Sequence, residues 1–313
     1  MGSVRGPDRR RVISILTDFG TVDGYVAAMK GVILGLNPYA TLVDITHQVP
    51  PQDVRFGAFV LHTVHRYFPP GTVHLAVVDP GVGTERAGVI LDTGSSLFVG
   101  PDNGLLSFVL AEGRRMVGQV EDLGSSLLDL SDAGTRGGEA SSVPRAHGPE
   151  RAVPLPDGWR AVRIAEPRFW LADVSTTFHG RDIFAPVAAH LTLGEPLESF
   201  GPPIPVLRSF PIQEPRRLPN GDLEGEVLHV DRFGNLITNL RGESLPRGQV
   251  VVELAGRRLQ GLRATYAGSS DLVALVGSSG YLEIALPGGS AQAETGAGVG
   301  TPVRVAVRRQ SSH

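Results

Sequence analysis

The sequence predicts two domains: an α/β domain with a largely parallel central sheet, then a smaller all-β domain, barrel or sandwich. Three observations carry that prediction. A chain of 313 residues is longer than one typical domain. Through residues 12–193, strand-length apolar runs alternate with segments of helical period. From residue 222 to 309 the helical period is gone, and short strand-like runs recur between turn residues.

Taken in order, "RVISILT" is a β-branched run that stops at "DFG". "VDGYVAAMKGVILGLN" follows, with Val22, Val26, Met29, Ile33 and Leu36 at helical spacing. "ATLVDIT" reads as the second strand. "PQDVRFGAFVLHTVHRYF" places Val54, Ala58, Leu61, Val64 and Phe68 on one helical face, and "GTVHLAVVD" is the third strand. Strand–helix repeats of this kind cross over right-handed and build parallel sheets. Ligands in such sheets sit beyond the carboxyl ends of the strands. The polar residues there are Asp18, Thr46-His47 and Asp79, so one edge is expected to carry all of them.

Residues 131–158 lack periodicity and are rich in Gly, Ser, Pro and charge, the composition of an exposed insertion. "IFAPVAAHLTLG" reads as a further helix. Residues 194–221 hold seven prolines and read as an interdomain linker. Beyond it, "GDLEGEVLHVD", "GNLITNL", "GQVVVELAG", "DLVALVG", "GYLEIAL" and "TPVRVAVRR" are the expected strands of the β domain.

Composition excludes several classes. Hydrophobic content of 41% and charged content of 19% are ordinary for a globular chain. A net charge of −3 without a basic run gives no nucleic-acid footprint. Cysteine is absent, which removes disulfides, thiolate nucleophiles and Cys-ligated metals. Apolar runs are strand-sized, and the basic "MGSVRGPDRRR" start is followed by no apolar signal region, so a cytoplasmic, non-membrane protein is expected. His62 and His65 stand three apart on a predicted helix, but no carboxylate accompanies them in a known metal spacing, so no metal is assigned. There is no G-x-S-x-G elbow and no G-x-G-x-x-G fingerprint.

Six stretches could carry chemistry, each with a plainer reading. In "LTDFGTVDGY", Asp18 and Asp23 are either acceptors for a ribose diol or a turn and a helix cap. In "VVDPGVGTER", Asp79 and Arg86 flank a Pro-Gly-Val-Gly turn that either pairs them in a site or leaves a surface salt bridge. "FVGPDNGLL" is a turn before a helix, with a weaker claim to shaping the floor of a site. "STTFHGRDIF" offers Phe178 and His179; Arg181 and Asp182 read as a structural ion pair. "HVDRFGNLITN" offers Asp231, Phe233 and Asn235, an aromatic face and an amide suited to a purine, or only a turn. "GSSGYLEIALPGGSA", around Ser278 and Tyr281, either lines a ligand with backbone or forms a hairpin.

The ordered set "TDFGTVDGY", "VVDPGVGTER", "PDNGLL", "TTFHGRDIFAPVAAHL", "DRFGNLITN" and "SSGYLEIA" is far more specific than any member. It resembles the S-adenosylmethionine hydroxide adenosyltransferase family, also called S-adenosylmethionine hydrolases, over most of residues 12–290. The family is related to fluorinating and chlorinating enzymes that use the same substrate. The resemblance implies that water-derived hydroxide attacks the 5′ carbon of S-adenosylmethionine, giving adenosine and L-methionine, with no cofactor. It implies a homotrimer with the site at the subunit interface. It implies a water-activating set of Asp79, Arg86 and His179, with Asp18 on the ribose. Asp23, Ser278 and Asp231 fall at the methionine end, Phe233 and Asn235 at adenine, and Phe178 in the pocket wall, with Tyr281 beside the Gly-Ser segment.

The halogenating relatives carry Tyr at the positions of both Asp79 and His179, and the fluorinating type carries Ser where this chain has Gly180. Two ionisable groups in place of a halide pocket argue for hydroxide. Ser279 stands where halogenating enzymes have Arg. Two other readings remain at this stage: a 5′-halogenase, and a non-catalytic sensor of S-adenosylmethionine or adenosine. Whether His179 or Asp79 takes the proton is open.

Overall fold

The computed structural model describes residues 12–118 and 150–307. It divides into two compact units, Met1–Ile212 and Gln213–His313.

The first unit is built on β1 (Val12–Thr17), α1 (Tyr25–Leu36), β2 (Thr41–Thr46), α2 (Val54–Val64), β3 (Val73–Val77), β4 (Gly88–Asp92), β5 (Leu97–Pro101), α3 (Ser107–Met116), β6 (Arg151–Pro154), β7 (Arg160–Arg163), α4 (Ala185–Thr192) and β8 (Val206–Ser209). Its main sheet runs β2-β1-β3-β5-β4-β7. β2, β1, β3 and β5 are mutually parallel; β4 and β7 continue the sheet antiparallel. The expected largely parallel sheet is therefore a mixed one with a parallel core. β3 and β5 are buried along their whole length, as strands covered on both faces are.

α1 buries Val26, Met29 and Ile33 against this sheet; Val22 lies before its first turn and is 97% exposed. The predicted helical face is right in its middle and overextended at both ends, since Leu36 is exposed too. α2 opens on Asp53, whose side chain accepts a hydrogen bond from Phe56 N at 2.9 Å and caps the helix. It buries Ala58, Phe59 and Leu61. α4 is buried on almost every side, with Val187, Ala188, Ala189 and Leu191 fully enclosed.

Two expectations need correction. The proline-rich 194–221 is not a free linker over its first two thirds. Leu197 and Phe200 belong to the core of the first unit, and β8 pairs antiparallel with β6. Proline stops helices and central strands, but an edge strand in a two-stranded sheet tolerates proline on its flanks. The same pairing corrects the insertion at its downstream end. Residues 151–154 form β6, with Val153 opposite Leu207, while 131–149 lie outside the described residues. Local composition hid this strand because its partner is more than fifty residues downstream.

The second unit contains β9 (Arg216–Arg217), β10 (Leu223–Val230), β11 (Leu236–Arg241), β12 (Val250–Leu254), β13 (Arg257–Gln260), β14 (Val273–Val276), β15 (Tyr281–Ala285), a short α5 (Ala291–Thr295) and β16 (Pro302–Val307). The strands run β13-β12-β16-β10-β11-β15-β14, with β9 also on β10, and every pairing is antiparallel. β10 pairs with β16 through its first half and with β11 through its second. One strand thus turns the corner between two half-sheets, which curls the whole into a near-barrel. Its core is aliphatic, including Leu223, Val227, Leu240, Val252, Leu282 and Ile284. Among the described residues, no helix is long and apolar enough to cross a membrane.

Candidate active site

The parallel strands set the site's position. Leu16 is opposite Thr46, and Thr17 is opposite Val77, so β1, β2 and β3 end together. Asp18, His47 and Asp79 follow at that common carboxyl edge, where the sequence placed them. His47 is tied to it: its Nδ1 lies 2.9 Å from Thr17 Oγ1, and its carbonyl accepts from Gly20 N at 2.8 Å. Asp18 Oδ2 accepts from Gln52 N at 2.8 Å, which anchors the positive-φ turn of Gln52 to the edge.

Asp79 and Arg86 meet as a two-pronged pair. Arg86 Nε donates to Asp79 Oδ1 at 3.0 Å, and Arg86 Nη2 donates to Asp79 Oδ2. Their side chains are only 5% and 9% exposed, so this is no surface salt bridge. Arg86 Nη1 also donates to Ala87 O, and the guanidinium stands 5.3 Å above the Phe184 ring. Arg86 Nη2 then reaches His179 Nδ1 at 3.4 Å, across 93 residues of sequence. Asp79, Arg86 and His179 are therefore brought together.

Local structure makes this meeting possible. Gly83 has φ +77, and a Cβ there would collide with the carbonyl oxygen of Thr176, so only glycine lets the Pro-Gly-Val-Gly turn lie against the His179 loop. Asn103, in the Pro-Asp-Asn-Gly turn, donates to Val78 O at 2.8 Å and pins the residue before Asp79. His179 precedes a π-helical turn, Gly180–Phe184, of the kind that re-aims side chains at functional sites. Asp182, fully buried in that turn, accepts from Ser175 N at 2.9 Å, Ser175 Oγ at 2.6 Å and Arg181 Nε at 2.6 Å. The Arg181–Asp182 pair is structural and locks the loop that presents His179.

The wall beside His179 is aromatic. Phe178 meets Phe19 edge-on at 5.6 Å and Tyr25 at 5.2 Å. Gly180 is buried, with Phe19 and Met29 both 3.4 Å from where a Cβ would sit. Asp23 is exposed in the turn before α1; the helix is capped at Gly24, so Asp23 is not a cap.

Electrostatics follow from this packing. Burial pushes the Asp79 carboxyl above its ordinary value, and the Arg86 guanidinium draws it back. Burial lowers the His179 imidazole, the Arg86 charge lowers it further, and Asp79 opposes both. Arg86 has only donors to offer, so the nitrogen facing it, Nδ1, is an acceptor and the imidazole proton sits on Nε2.

In the second unit, Asp231 organises a tight turn. Its Oδ1 accepts from Phe233 N and Asn235 N, both at 2.9 Å, and its Oδ2 from Asn235 Nδ2 at 2.9 Å. Gly234 has φ +80 and packs so closely on Ser290 that no side chain fits. The turn leaves Phe233 74% exposed, a ring held out on a rigid mount. Ser278 is exposed in the turn between β14 and β15, whereas Tyr281 is buried, with Arg241 stacked 4.8 Å from its ring. Tyr281 thus packs within the unit.

Family models match both units. The SAM hydroxide adenosyltransferase N-terminal domain matches residues 13–127 and 152–201, and the C-terminal domain of the same name matches 225–304. The chain belongs to the SAM hydroxide adenosyltransferase family. A family member from Thermus thermophilus named (R)-S-adenosyl-L-methionine hydrolase is 41% identical over 301 residues, covering 94% of this chain and 99% of that protein. One of the same name from Salinispora tropica is 39% identical over 298 residues, covering 94% and 97%. A fluorinase from an Actinoplanes species is more distant, at 26% identity. The solved structure of an uncharacterized conserved protein from Thermotoga maritima superposes with a TM-score of 0.75 at 30% identity, covering 94% of this chain and all of that one.

Several residues that support this family member's site escaped the sequence reading. Ser175 acts through the Asp182 carboxylate and Phe178 N, while the Asn103 of the Pro-Asp-Asn-Gly turn reaches Val78 O, 25 residues away. Phe19 and Tyr25 complete the aromatic wall but look like ordinary turn and helix residues. Glu283 left a visible signal: it is an acid inside a wholly buried strand. Tyr266 Oη donates to its Oε1 at 2.7 Å. That bond pushes the Tyr266 hydroxyl up to about 12, and burial raises the Glu283 carboxyl.

Proposed function

We propose that this protein hydrolyses S-adenosyl-L-methionine to adenosine and L-methionine. The observation that carries the reading is the buried Asp79–Arg86 pair with His179 against it. It occurs in a chain 39–41% identical to proteins named for this hydrolysis. A water oxygen attacks C5′, the C5′–S bond breaks, methionine leaves as a neutral thioether, and one proton is released. Loss of the sulfonium charge along this path favours a site walled by rings such as Phe178.

That tautomer supports a division of roles. With Nδ1 turned to Arg86, His179 presents Nε2–H to the water and orients it by donation. Asp79, raised by burial, is then the better proton acceptor, and Arg86 holds both partners in place. Asp18 is proposed for the ribose, and Asp23, Ser278 and Asp231 for the methionine end. Phe233 and Asn235 are proposed for adenine. Each unit carries part of this set, which supports the further proposal of a homotrimer whose subunits complete one another's sites.

Incubation of purified protein with S-adenosylmethionine, with separation of products by chromatography, tests the activity. Equimolar adenosine and methionine are expected. A folded sample that forms neither would sink the reading, and a 5′-chloro product in chloride buffer would replace it with halogenation. Light scattering on the same sample checks the trimer.

A further inference from the structure

His62 and His65 have no carboxylate near them in the chain in a known metal spacing, but the fold supplies one. Glu112 Oε2, on α3, lies 3.1 Å from His62 Nδ1 and 3.6 Å from His65 Nε2. The three donor atoms all fall within 4.8 Å of one another.

We propose that His62, His65 and Glu112 form a binding site for a divalent transition metal, with zinc the best match, that ties α2 to α3. The spacing supports it. Tetrahedral zinc with ligand bonds of about 2.0–2.1 Å requires donor atoms about 3.3 Å apart, which the two observed separations bracket. Alignment supports it as well. His65 Nε2 and Glu112 Oε2 are both buried, yet neither has a well-directed hydrogen bond. Three donor atoms this close, without a well-directed hydrogen bond at His65 Nε2 or Glu112 Oε2, can converge on a shared cation. The donor set selects the metal: two imidazoles and one carboxylate suit zinc, while magnesium and calcium demand oxygen. Three protein ligands leave a fourth position for water.

The surroundings hold the ligands in place. The His62 ring stacks on Phe108, one helical turn before Glu112 on α3, at 5.8 Å. The His65 ring packs edge-on against Phe98 at 5.4 Å and His74 at 6.0 Å. His74 is itself engaged, its Nδ1 2.6 Å from Ser14 Oγ. The site is also remote from the candidate active site. α2 leaves the carboxyl edge after β2 and returns the chain to the start of β3, so its last turn sits at the amino edge. The contacts of His65 with the second residues of β3 and β5 agree with that placement. A metal here clamps two helices of the layer and takes no part in the chemistry at Asp79.

The test uses the whole chain, stripped with a chelator, dialysed and titrated with zinc against a chromogenic indicator. One zinc per chain is expected. Cobalt in its place should give the visible absorption of a low-symmetry four- or five-coordinate ion. Glu112→Gln and His65→Gln, close in size to the native side chains, should each weaken zinc at least about tenfold. Added zinc should raise the melting temperature of the native protein and not that of the variants. Zinc far below one per chain, or no cobalt band, overturns the site without reference to any variant. A full equivalent retained by the double variant places the metal elsewhere and overturns it too.

Discussion

Asp79 in the first unit and Asp231 in the second both sit beside glycine-bearing turns, but their partners differ in kind. Every recorded bond of Asp231 falls within four residues of it, and all its donors are neutral. Asp79 is held by a guanidinium seven residues away, which in turn reaches a histidine 93 residues further on. The first arrangement shapes backbone and projects an exposed ring. The second gathers ionisable groups around a buried ion pair, where a low local dielectric strengthens each interaction. If the proposed roles hold, this difference separates a binding mount from a reactive centre, and substitutions should separate them too.

The largest effect is expected at His179. His179→Ala should lower kcat by about 10²–10⁴-fold, the usual worth of a positioned proton-handling group, with binding of adenosine retained. His179→Gln sharpens the role, since its amide still donates but is no base. If donation to water is what matters, Gln should recover part of what Ala loses in adenosine formation. Equal losses would assign His179 as the base instead. Asp79→Asn should cost a comparable factor in kcat and also lower Tm. Removing one partner of a buried pair strands the other charge, a penalty of about 3–5 kcal/mol.

The second unit should respond in KM. Asp231→Ala removes three hydrogen bonds from the turn, each worth about 0.5–1.5 kcal/mol net. A KM rise of about tenfold is expected, with kcat nearly unchanged, because every 1.4 kcal/mol is a factor of ten. Phe233→Ala should act in the same direction, with a loss of about 1–3 kcal/mol if the ring stacks on a base. Steady-state kinetics on both variants check the split; a kcat loss with constant KM would erase the contrast drawn between the two aspartates.

What was legible in the sequence divides along the same line. The Asp231 turn could be read locally, because Asp, Gly and Asn define it through bonds within four residues. The helical face Val26–Met29–Ile33 and the alternating strands were legible for the same reason. Asp79, Arg86 and His179 were legible together only through the ordered motifs, since spacing alone does not say that Arg86 and His179, 93 residues apart, touch. The pairing of β6 with β8 and the carboxylate of Glu112 beside His62 and His65 left no local trace, because each depends on a partner supplied by the fold. For Tyr281 the sequence left lining and hairpin equally open, and only the fold shows its ring buried beneath Arg241.

The smallest effect expected is a displacement of the acid limb of activity. Burial and then Arg86 hold His179 below the ordinary imidazole value of 6.5. The neutral ring therefore persists into more acidic solution than a free histidine would allow. As pH falls through its pKa, Nδ1 takes a proton, faces the guanidinium as a like charge, and gives up its contact with Arg86. kcat/KM should thus decline on the acid side with an inflection below 6.5. Arg86→Gln removes the lowering charge, and the His179 pKa should move up. Following the ring C–H resonance against pH in both proteins reads this directly, independent of turnover. A pKa that stays put in Arg86→Gln would mean that the guanidinium does not govern the ring. The coupling that distinguishes the Asp79 centre from the Asp231 turn would then be geometric and not electrostatic.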